Sequence, residues 1–319
     1  MMRYLTKQWL CGIVLGFVFL SFQPVSADHP NPSSRQQTLV VGTISSNPQK
    51  AVKRTQAFAD YVASQLSSFG VKEAKVVVAK DIEQMASWLK SGDVDLVSET
   101  VFAAARMIDQ ANAKLIARRW KSGIGEYSSV FFTSITSGIK SFSDLVGKTI
   151  VFEDRGSSSS FLVPASLLLA QGYQLQELSS PREKPLAGKI GYFFSDDFSN
   201  SGGEKNMMAW VHRGLVASAA FSDIDWQKEI PEAIKKDMRI FYQSQKIPRS
   251  LMLVSPTVPV EKSQMIAQIL FDADKSEPGK AALLRYKKTL KFDPITDDIN
   301  AAVLRAKEQK RLIESKLSR

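Results

Sequence analysis

The residues best suited to chemistry form one short run at positions 155–160, in which an arginine and a glycine precede four serines. The surrounding pattern predicts that this run joins a strand to the start of a helix. Backbone N–H groups at a helix start attract an anion together with the helix dipole, and serine hydroxyls add donors without adding charge. Ser157, Ser158, Ser159 and Ser160 are therefore candidate ligands for a tetrahedral oxyanion. The alternative is that one serine caps the helix and the others form a flexible loop.

Polar residues at the ends of other predicted strands are candidate partners of the serine run. Open α/β sheets bind ligands at the carboxyl ends of their strands, and Ser46, Thr100 and Asp223 lie at three such ends. Tyr127 lies just before a predicted crossover strand at 128–134, where its hydroxyl could enter a cleft. Each of these residues could instead serve only to begin a loop.

The residue types that catalysis most often needs are scarce in this chain. His29 and His212 are its only histidines, Cys11 is its only cysteine, and it has neither a Gly-x-Ser-x-Gly motif nor a glycine-rich nucleotide loop. We therefore expect no enzyme, no catalytic residues, no metal site and no cofactor. An enzyme that uses only carboxylate side chains remains the alternative.

Alternating strand and helix patterns run through two successive blocks of the chain, at 38–117 and 148–221. They predict an α/β fold with two lobes, joined by two crossover strands and separated by a ligand cleft. Lobe 1 is expected to comprise residues 38–133 plus 250–292, and lobe 2 residues 134–249.

The first 27 residues predict export from the cytoplasm. Residues 1–27 have the order of a cleavable secretory signal: positive charges, an apolar run, and small residues before the cleavage site. The apolar run is shorter than the roughly 20 residues that a membrane anchor needs, which disfavours an uncleaved anchor. Residues 28–37 are polar and predict a disordered leader. Because Cys11 leaves with the signal, the mature chain can form no disulfide, which is ordinary in the bacterial periplasm. We predict a periplasmic protein.

The positive net charge does not indicate a nucleic-acid-binding protein. The formal net charge is +10, but basic residues alternate with acidic ones and form no stripe. Residues 293–319 predict a charged C-terminal helix, which we interpret as a solvated tail rather than a docking element.

Several segments together resemble those of one known family. In order and spacing over residues 39–291, the chain resembles the phosphate/phosphite/phosphonate-binding periplasmic components of ABC transporters, and the segments that carry the resemblance are 92–96, 125–129, 142–148, 152–160 and Pro164. The resemblance implies a type II periplasmic-binding-protein fold that closes like a hinged clamp. It also implies that Ser157, Ser158 and Ser159 grip the oxyanion, with Ser160 where glycine is usual and Tyr127 as a second contact.

The chain also departs from the family pattern at three places. Gly203-Glu204 replaces the usual Ser-His, Val216-Ala217-Ser218 replaces Val-Asp-Ala, and the segment 98–102 replaces a proline-aromatic loop. A carboxylate such as Glu204 beside a dianion is repulsive unless a base such as Arg155 pairs with it. Either such acids point away, or the ligand carries a cationic group, or the ligand is not a phosphonate.

The function we predict is that of a monomeric solute-binding protein. It would bind a small phosphate-, phosphite- or phosphonate-like oxyanion between its lobes and deliver it to an inner-membrane ABC permease. One alternative is a periplasmic sensor that docks on a membrane signalling receptor, and another is a binding protein with altered, non-phosphonate specificity. An enzyme on a related two-lobed fold is disfavoured.

Overall fold

The computed structural model describes residues 37–198 and 203–317. The predicted signal sequence at 1–27, and all but the last residue of the predicted leader at 28–37, lie outside the described residues. Within the described ranges no helix is long and apolar enough to cross a membrane.

Strands and helices alternate along most of the described chain, as the sequence predicts. The strands are β1 (Thr38–Ile44), β2 (Glu73–Ala79), β3 (Leu96–Glu99), β4 (Lys114–Arg119), β5 (Glu126–Tyr127), β6 (Ser129–Ser134), β7 (Thr149–Phe152), β8 (Gln174–Glu177), β9 (Lys189–Phe194), β10 (Ser218–Ser222), β11 (Met238–Gln243), β12 (Ile247–Pro248), β13 (Leu251–Val254) and β14 (Phe292–Asp293). The α-helices are α1 (Pro48–Ser64), α2 (Ile82–Ser91), α3 (Val101–Ala111), α4 (Val163–Ala170), α5 (Gly203–His212), α6 (Asp223–Glu229), α7 (Glu232–Lys235), α8 (Val260–Asp272), α9 (Glu277–Arg285) and α10 (Asp297–Leu317).

The first lobe is built on a sheet with strand order β14-β4-β13-β3-β1-β2. β1 is parallel to β2 and β3, whereas β13 is antiparallel to β3 and β4. The carboxyl ends of β1, β3 and β4 therefore share one edge of the sheet with the amino ends of β13 and β14. Helix α1 starts at this edge because Asn47 caps it, accepting a hydrogen bond from the N–H of Lys50 at 3.1 Å, and Pro48 occupies its first turn.

The second lobe is built on a sheet with strand order β11-β6-β10-β7-β9-β8. β7 is parallel to β9 and β10, and β6 is antiparallel to β10 and β11. The aromatic rings of Phe132, Phe221 and Trp226 pack together on one face. The carboxyl ends of β7, β9 and β10 share an edge with the amino end of β6.

The crossing between the lobes differs from the predicted one. β6, which falls in the predicted crossover segment at 128–134, pairs with β10 and β11 and so belongs to the second sheet. The crossing is made instead by β5 and β12, which form a short antiparallel ribbon pairing Tyr127 with Ile247. The predicted boundary at 133/134 was wrong. An apolar strand can lie in the centre of a sheet as well as connect two lobes, and the sequence pattern is the same in both cases.

Helix α10 contacts both lobes, packing against α3 of the first and α4 of the second. Its apolar face is buried through Ile299, Ala302, Val303, Ala306 and Ile313. One continuous apolar cluster includes Ile299, Val303, Ala306 and Ile313 together with side chains of both sheets. The interpretation of this helix as a solvated tail is therefore wrong, because its apolar residues are buried between the lobes and its Lys307 pairs with Asp109 of α3.

Candidate anion-binding cleft

The edge of the first sheet and the edge of the second sheet, as described above, meet at the serine run, residues 155–160. After β7 the chain forms a π-helical turn, Ser158–Leu162, that leads directly into α4. Ser157 caps this turn, its Oγ accepting from the N–H of Ser160 at 3.2 Å. Single π turns of this kind are frequent at functional sites because they widen the first turn of a helix.

The hydroxyl of Ser160 holds the loop in place through two hydrogen bonds within the protein. Its hydroxyl donates to the carbonyl oxygen of Ala220 at 2.6 Å and accepts from the N–H of Glu153 at 2.8 Å. A further bond, from Ser129 Oγ to the carbonyl of Ser159 at 2.6 Å, fixes the loop to β6. Because the hydroxyl hydrogen of Ser160 is used in the bond to Ala220, the oxyanion proposed below is assigned to Ser158 and Ser159 instead.

Tyr127 lies where the serine run meets the crossover ribbon. It is only 3% exposed, and its hydroxyl adjoins the side chains of Ser158, Ser159 and Arg249. Burial raises the pKa of the Tyr127 phenol, and the charge of Arg249 opposes that rise. The guanidinium of Arg249 lies over the tyrosine ring, 4.9 Å from its centroid.

Two buried donors in this cluster lack an acceptor. Ser158 Oγ and Arg249 Nε are enclosed by the protein and have no hydrogen-bond partner among the described residues. The approach of Ser158 to the Tyr127 hydroxyl therefore falls short of ordinary hydrogen-bond geometry. Buried polar groups without partners are rare and costly, so two at one place indicate that a ligand supplies the acceptors.

Three basic residues, Lys121, Arg249 and Lys287, line the lobe-1 side; we call them the cation cluster. Burial, followed by the charges of Lys287 and Arg249, lowers the pKa of Lys121 to about 7. Burial also lowers the pKa of Lys287. The one carboxyl group that acts on both is Glu99 at the end of β3, and burial raises its pKa in spite of the surrounding cations.

Arg119 adds a fourth positive charge behind the cation cluster. It is 2% exposed and donates to the hydroxyls of Thr289 at 2.8 Å and Ser98 at 3.3 Å, and to the carbonyl of Tyr286 at 2.6 Å. Its partners are all neutral. Its charge is thus solvated by dipoles, and the nearby carboxyl group of Glu99 also acts on it.

Glu204 is paired with a second carboxyl group and not with Arg155. Arg155 forms ion pairs with Glu177 at 2.7 Å and Asp197 at 3.0 Å. Glu204 instead adjoins Glu153 of the loop after β7, and the two carboxyl groups hydrogen-bond. Burial, and then the charge of Glu204, raises the pKa of Glu153 to about 8, and burial also raises that of Glu204. The pair therefore holds a proton near neutral pH.

The remaining predicted site residues are not brought together at this cluster. Ser46 is exposed in the loop after β1. Thr100 precedes α3 and lines a cavity of about 300 Å³ with Arg155 and residues of α10. Asp223 is tied to Ser128 by two hydrogen bonds, from the N–H of Ser128 to its Oδ1 at 3.1 Å and from its own N–H to the Ser128 carbonyl at 2.9 Å. These two bonds hold the start of β6.

Sequence reasoning missed the cation cluster altogether, since each of its members is an ordinary basic residue in a loop. Metal binding finds no support in the described ranges, where no group of histidine, cysteine or carboxylate side chains could hold an ion.

The chain was compared with known families and solved structures. A family model described as ABC transporter, phosphonate, periplasmic substrate-binding protein matches residues 41–299. XAC2383 from Xanthomonas citri bound to ATP is similar, with a TM-score of 0.78 and 26% identity, covering 88% of this chain and 100% of that one. PhnD1 from Prochlorococcus marinus in complex with methylphosphonate has a TM-score of 0.60 and 17% identity, covering 88% and 99%. The periplasmic aliphatic sulphonate binding protein SsuA from Escherichia coli has a TM-score of 0.51 and 15% identity, covering 88% and 94%.

These matches confirm the resemblance seen in the sequence and the two-lobed periplasmic-binding-protein fold. Proteins of this family are solute-binding components of transporters and not enzymes. The family match spans both sheets, the serine run and the crossover ribbon. The chain belongs to the family of periplasmic substrate-binding proteins of phosphonate ABC transporters.

Proposed function

We propose that this protein binds a small ligand through a tetrahedral oxyanion held at Tyr127, Ser158, Ser159 and Arg249. The observation that carries the proposal is the pair of buried donors without acceptors, Ser158 Oγ and Arg249 Nε. An oxyanion offers several acceptor oxygens in a small volume, and a guanidinium binds such groups strongly. Inorganic phosphate, phosphite and phosphonates all carry this group.

Ligands of the similar proteins support the same chemistry. The Xanthomonas protein was solved with ATP and the Prochlorococcus protein with methylphosphonate. The group that these two molecules share is a tetrahedral phosphorus oxyanion, and this shared group is what we carry over. Sulfate and sulfonates have a similar shape with less charge, and they serve as the test of altered specificity.

Delivery by clamp closure follows from where the donors lie. Ser158 and Ser159 belong to the second lobe, whereas Arg249 lies at the start of β13 in the first. A ligand that contacts both sides prefers the closed arrangement and shifts the population toward it. We propose that the closed form docks on an inner-membrane ABC permease, in the periplasm to which the N-terminal signal directs the chain. Because one chain supplies both sides of the cleft, a monomer suffices. A sensor would use the same closed form on a different receptor.

The test is a thermal-shift screen with phosphate, phosphite, methylphosphonate and sulfate. A ligand at about 100 times its Kd should stabilise the protein by about 2.7 kcal/mol. Because Ser158 Oγ makes no hydrogen bond within the protein, Ser158→Ala should leave the ligand-free melting temperature nearly unchanged while removing the ligand-induced shift. Ser166→Ala, in the helix that follows, is the matched control and should keep the shift. The proposal fails if no oxyanion stabilises the protein, or if Ser158→Ala responds like the wild type.

A further inference from the structure

The cation cluster carries more positive charge than a single oxyanion needs. Backbone pairing forces its members together: the N–H of Ser122 donates to the carbonyl of Lys287 at 3.3 Å, and the N–H of Arg249 donates to the carbonyl of Gly125 at 2.8 Å. These two bonds lie on either side of the hairpin that begins with Lys121. Three chain segments distant in sequence thus place three cationic side chains at one edge of the first sheet.

Lys287 is held in a strained backbone conformation. Its φ is +53°, and that of the next residue, Lys288, is +51°, both in the left-handed region that favours glycine. Such strain persists where the surrounding structure over-determines it, and it concentrates at ligand sites. The two lysines differ in where their side chains lie: that of Lys287 is half-buried beside Arg119 and Arg249, whereas that of Lys288 is exposed.

The charges around this cluster do not balance within the protein. No ion pair joins Lys121, Arg249 or Lys287 to a carboxylate among the described salt bridges, whereas surface lysines such as Lys280 have partners within 2.8 Å. Glu99 is the one acid whose charge acts on both lysines of the cluster. Burial, and after it the charges of neighbouring cations, lowers the pKa of both lysines.

We infer that the ligand carries two linked acidic groups, one held by Tyr127, Ser158 and Arg249 and the second by Lys121 and Lys287, so that the substrate class is a diphosphate or longer phosphoanhydride. The inference rests on the proposed function, since it places the first oxyanion in the same cleft. The serine run supplies neutral donors to one group, and the cation cluster neutralises the additional charge of the other. A compound with a single phosphonate group would leave the two lysines uncompensated.

The test is isothermal titration calorimetry with inorganic phosphate and inorganic pyrophosphate, in EDTA and at matched ionic strength. We expect pyrophosphate to bind at least about tenfold more tightly, since charge-assisted hydrogen bonds to a second group are gained. Lys287→Gln should reduce pyrophosphate affinity by about tenfold or more, and by a larger factor than it reduces phosphate affinity. Lys288→Gln is the matched control, because it has the same backbone conformation and an exposed side chain, and should bind both ligands as the wild type does.

Each outcome of this titration is decisive. Equal affinities for phosphate and pyrophosphate, or an equal loss of both in Lys287→Gln, would overturn the inference while leaving the proposed oxyanion site intact. Binding of neither ligand would overturn both. Tighter binding of pyrophosphate that Lys288→Gln weakens as much as Lys287→Gln would show only a general effect of surface charge, and would also overturn the inference.

Discussion

Binding of an oxyanion should draw a proton onto Lys121. In the free protein the pKa of this lysine falls to about 7, because the amine is buried and lies beside Lys287 and Arg249. An anion bound at the cluster supplies the missing negative charge and so raises the pKa again. The complex should therefore take up a proton from solution whenever the free lysine is neutral.

The size of the effect follows from the fraction of neutral lysine. With a pKa of about 7, Lys121 is about 0.9 deprotonated at pH 8 and about 0.1 deprotonated at pH 6. If the bound anion returns the pKa to its ordinary range near 10.4, binding takes up about 0.9 protons at pH 8 and about 0.1 at pH 6. Uptake must rise with pH, because only the neutral lysine has a proton to gain.

The assay is calorimetric titration of the best-binding oxyanion in buffers with different ionisation enthalpies. The slope of binding enthalpy against ionisation enthalpy is the number of protons taken up. Lys121→Gln should lose the rise between pH 6 and pH 8, and subtracting its slope from that of the wild type removes the ligand's own ionisation. Lys288→Gln should behave as the wild type. The reasoning is refuted if the wild-type slope does not rise with pH, or if Lys121→Gln shows the same rise.

Three further predictions concern stability. Ser160→Ala should cost about 2 kcal/mol in urea denaturation, since it removes two buried hydrogen bonds of about 1 kcal/mol each, whereas Ser166→Ala, which removes only one, should cost about 1 kcal/mol or less; equal losses would contradict the structural role of Ser160. Because the folded state raises the pKa of Glu153 to about 8, the contribution of this group to stability should fall as pH rises from 5 to 9, and the free energy of unfolding of the wild type should fall relative to that of Glu153→Gln by at least about 2 kcal/mol over that range; parallel pH profiles would exclude the shared proton. Val303→Asp, in the buried face of α10, should cost more than about 3 kcal/mol, whereas Leu304→Asp, at a side chain 59% exposed, should cost less than about 0.5 kcal/mol; a tolerated Val303→Asp would show that α10 does not hold the lobes.

Part of the candidate site was readable from the sequence because its signals are local. A serine run between a strand pattern and a helix pattern predicts a helix-start site wherever the chain folds, and the structure places Ser158 and Ser159 there, beside Tyr127. The same run could not reveal that the hydroxyl of Ser160 donates to the carbonyl of Ala220, 60 residues later in the chain. The acceptor of a hydroxyl depends on which strand lies beside it.

The partner of Glu204 was a matter of tertiary structure. From sequence, Arg155 is a reasonable partner, since it lies at the head of the serine run. In the folded protein Arg155 instead forms ion pairs with Glu177 and Asp197, and Glu204 lies beside Glu153. The result is a carboxyl pair that binds a proton, a property that neither residue has alone.

The sequence by itself determined the alternation of strands and helices, because apolar periodicity is a property of neighbouring residues. With that alternation it determined the two-lobed α/β class. Only the tertiary structure decided where the charge lies. Lys121, Arg249 and Lys287 come from three distant segments and meet because β4, β13 and β14 are neighbours in one sheet. Electrostatic potential depends on distance in space and on burial, and neither can be read from spacing along the chain.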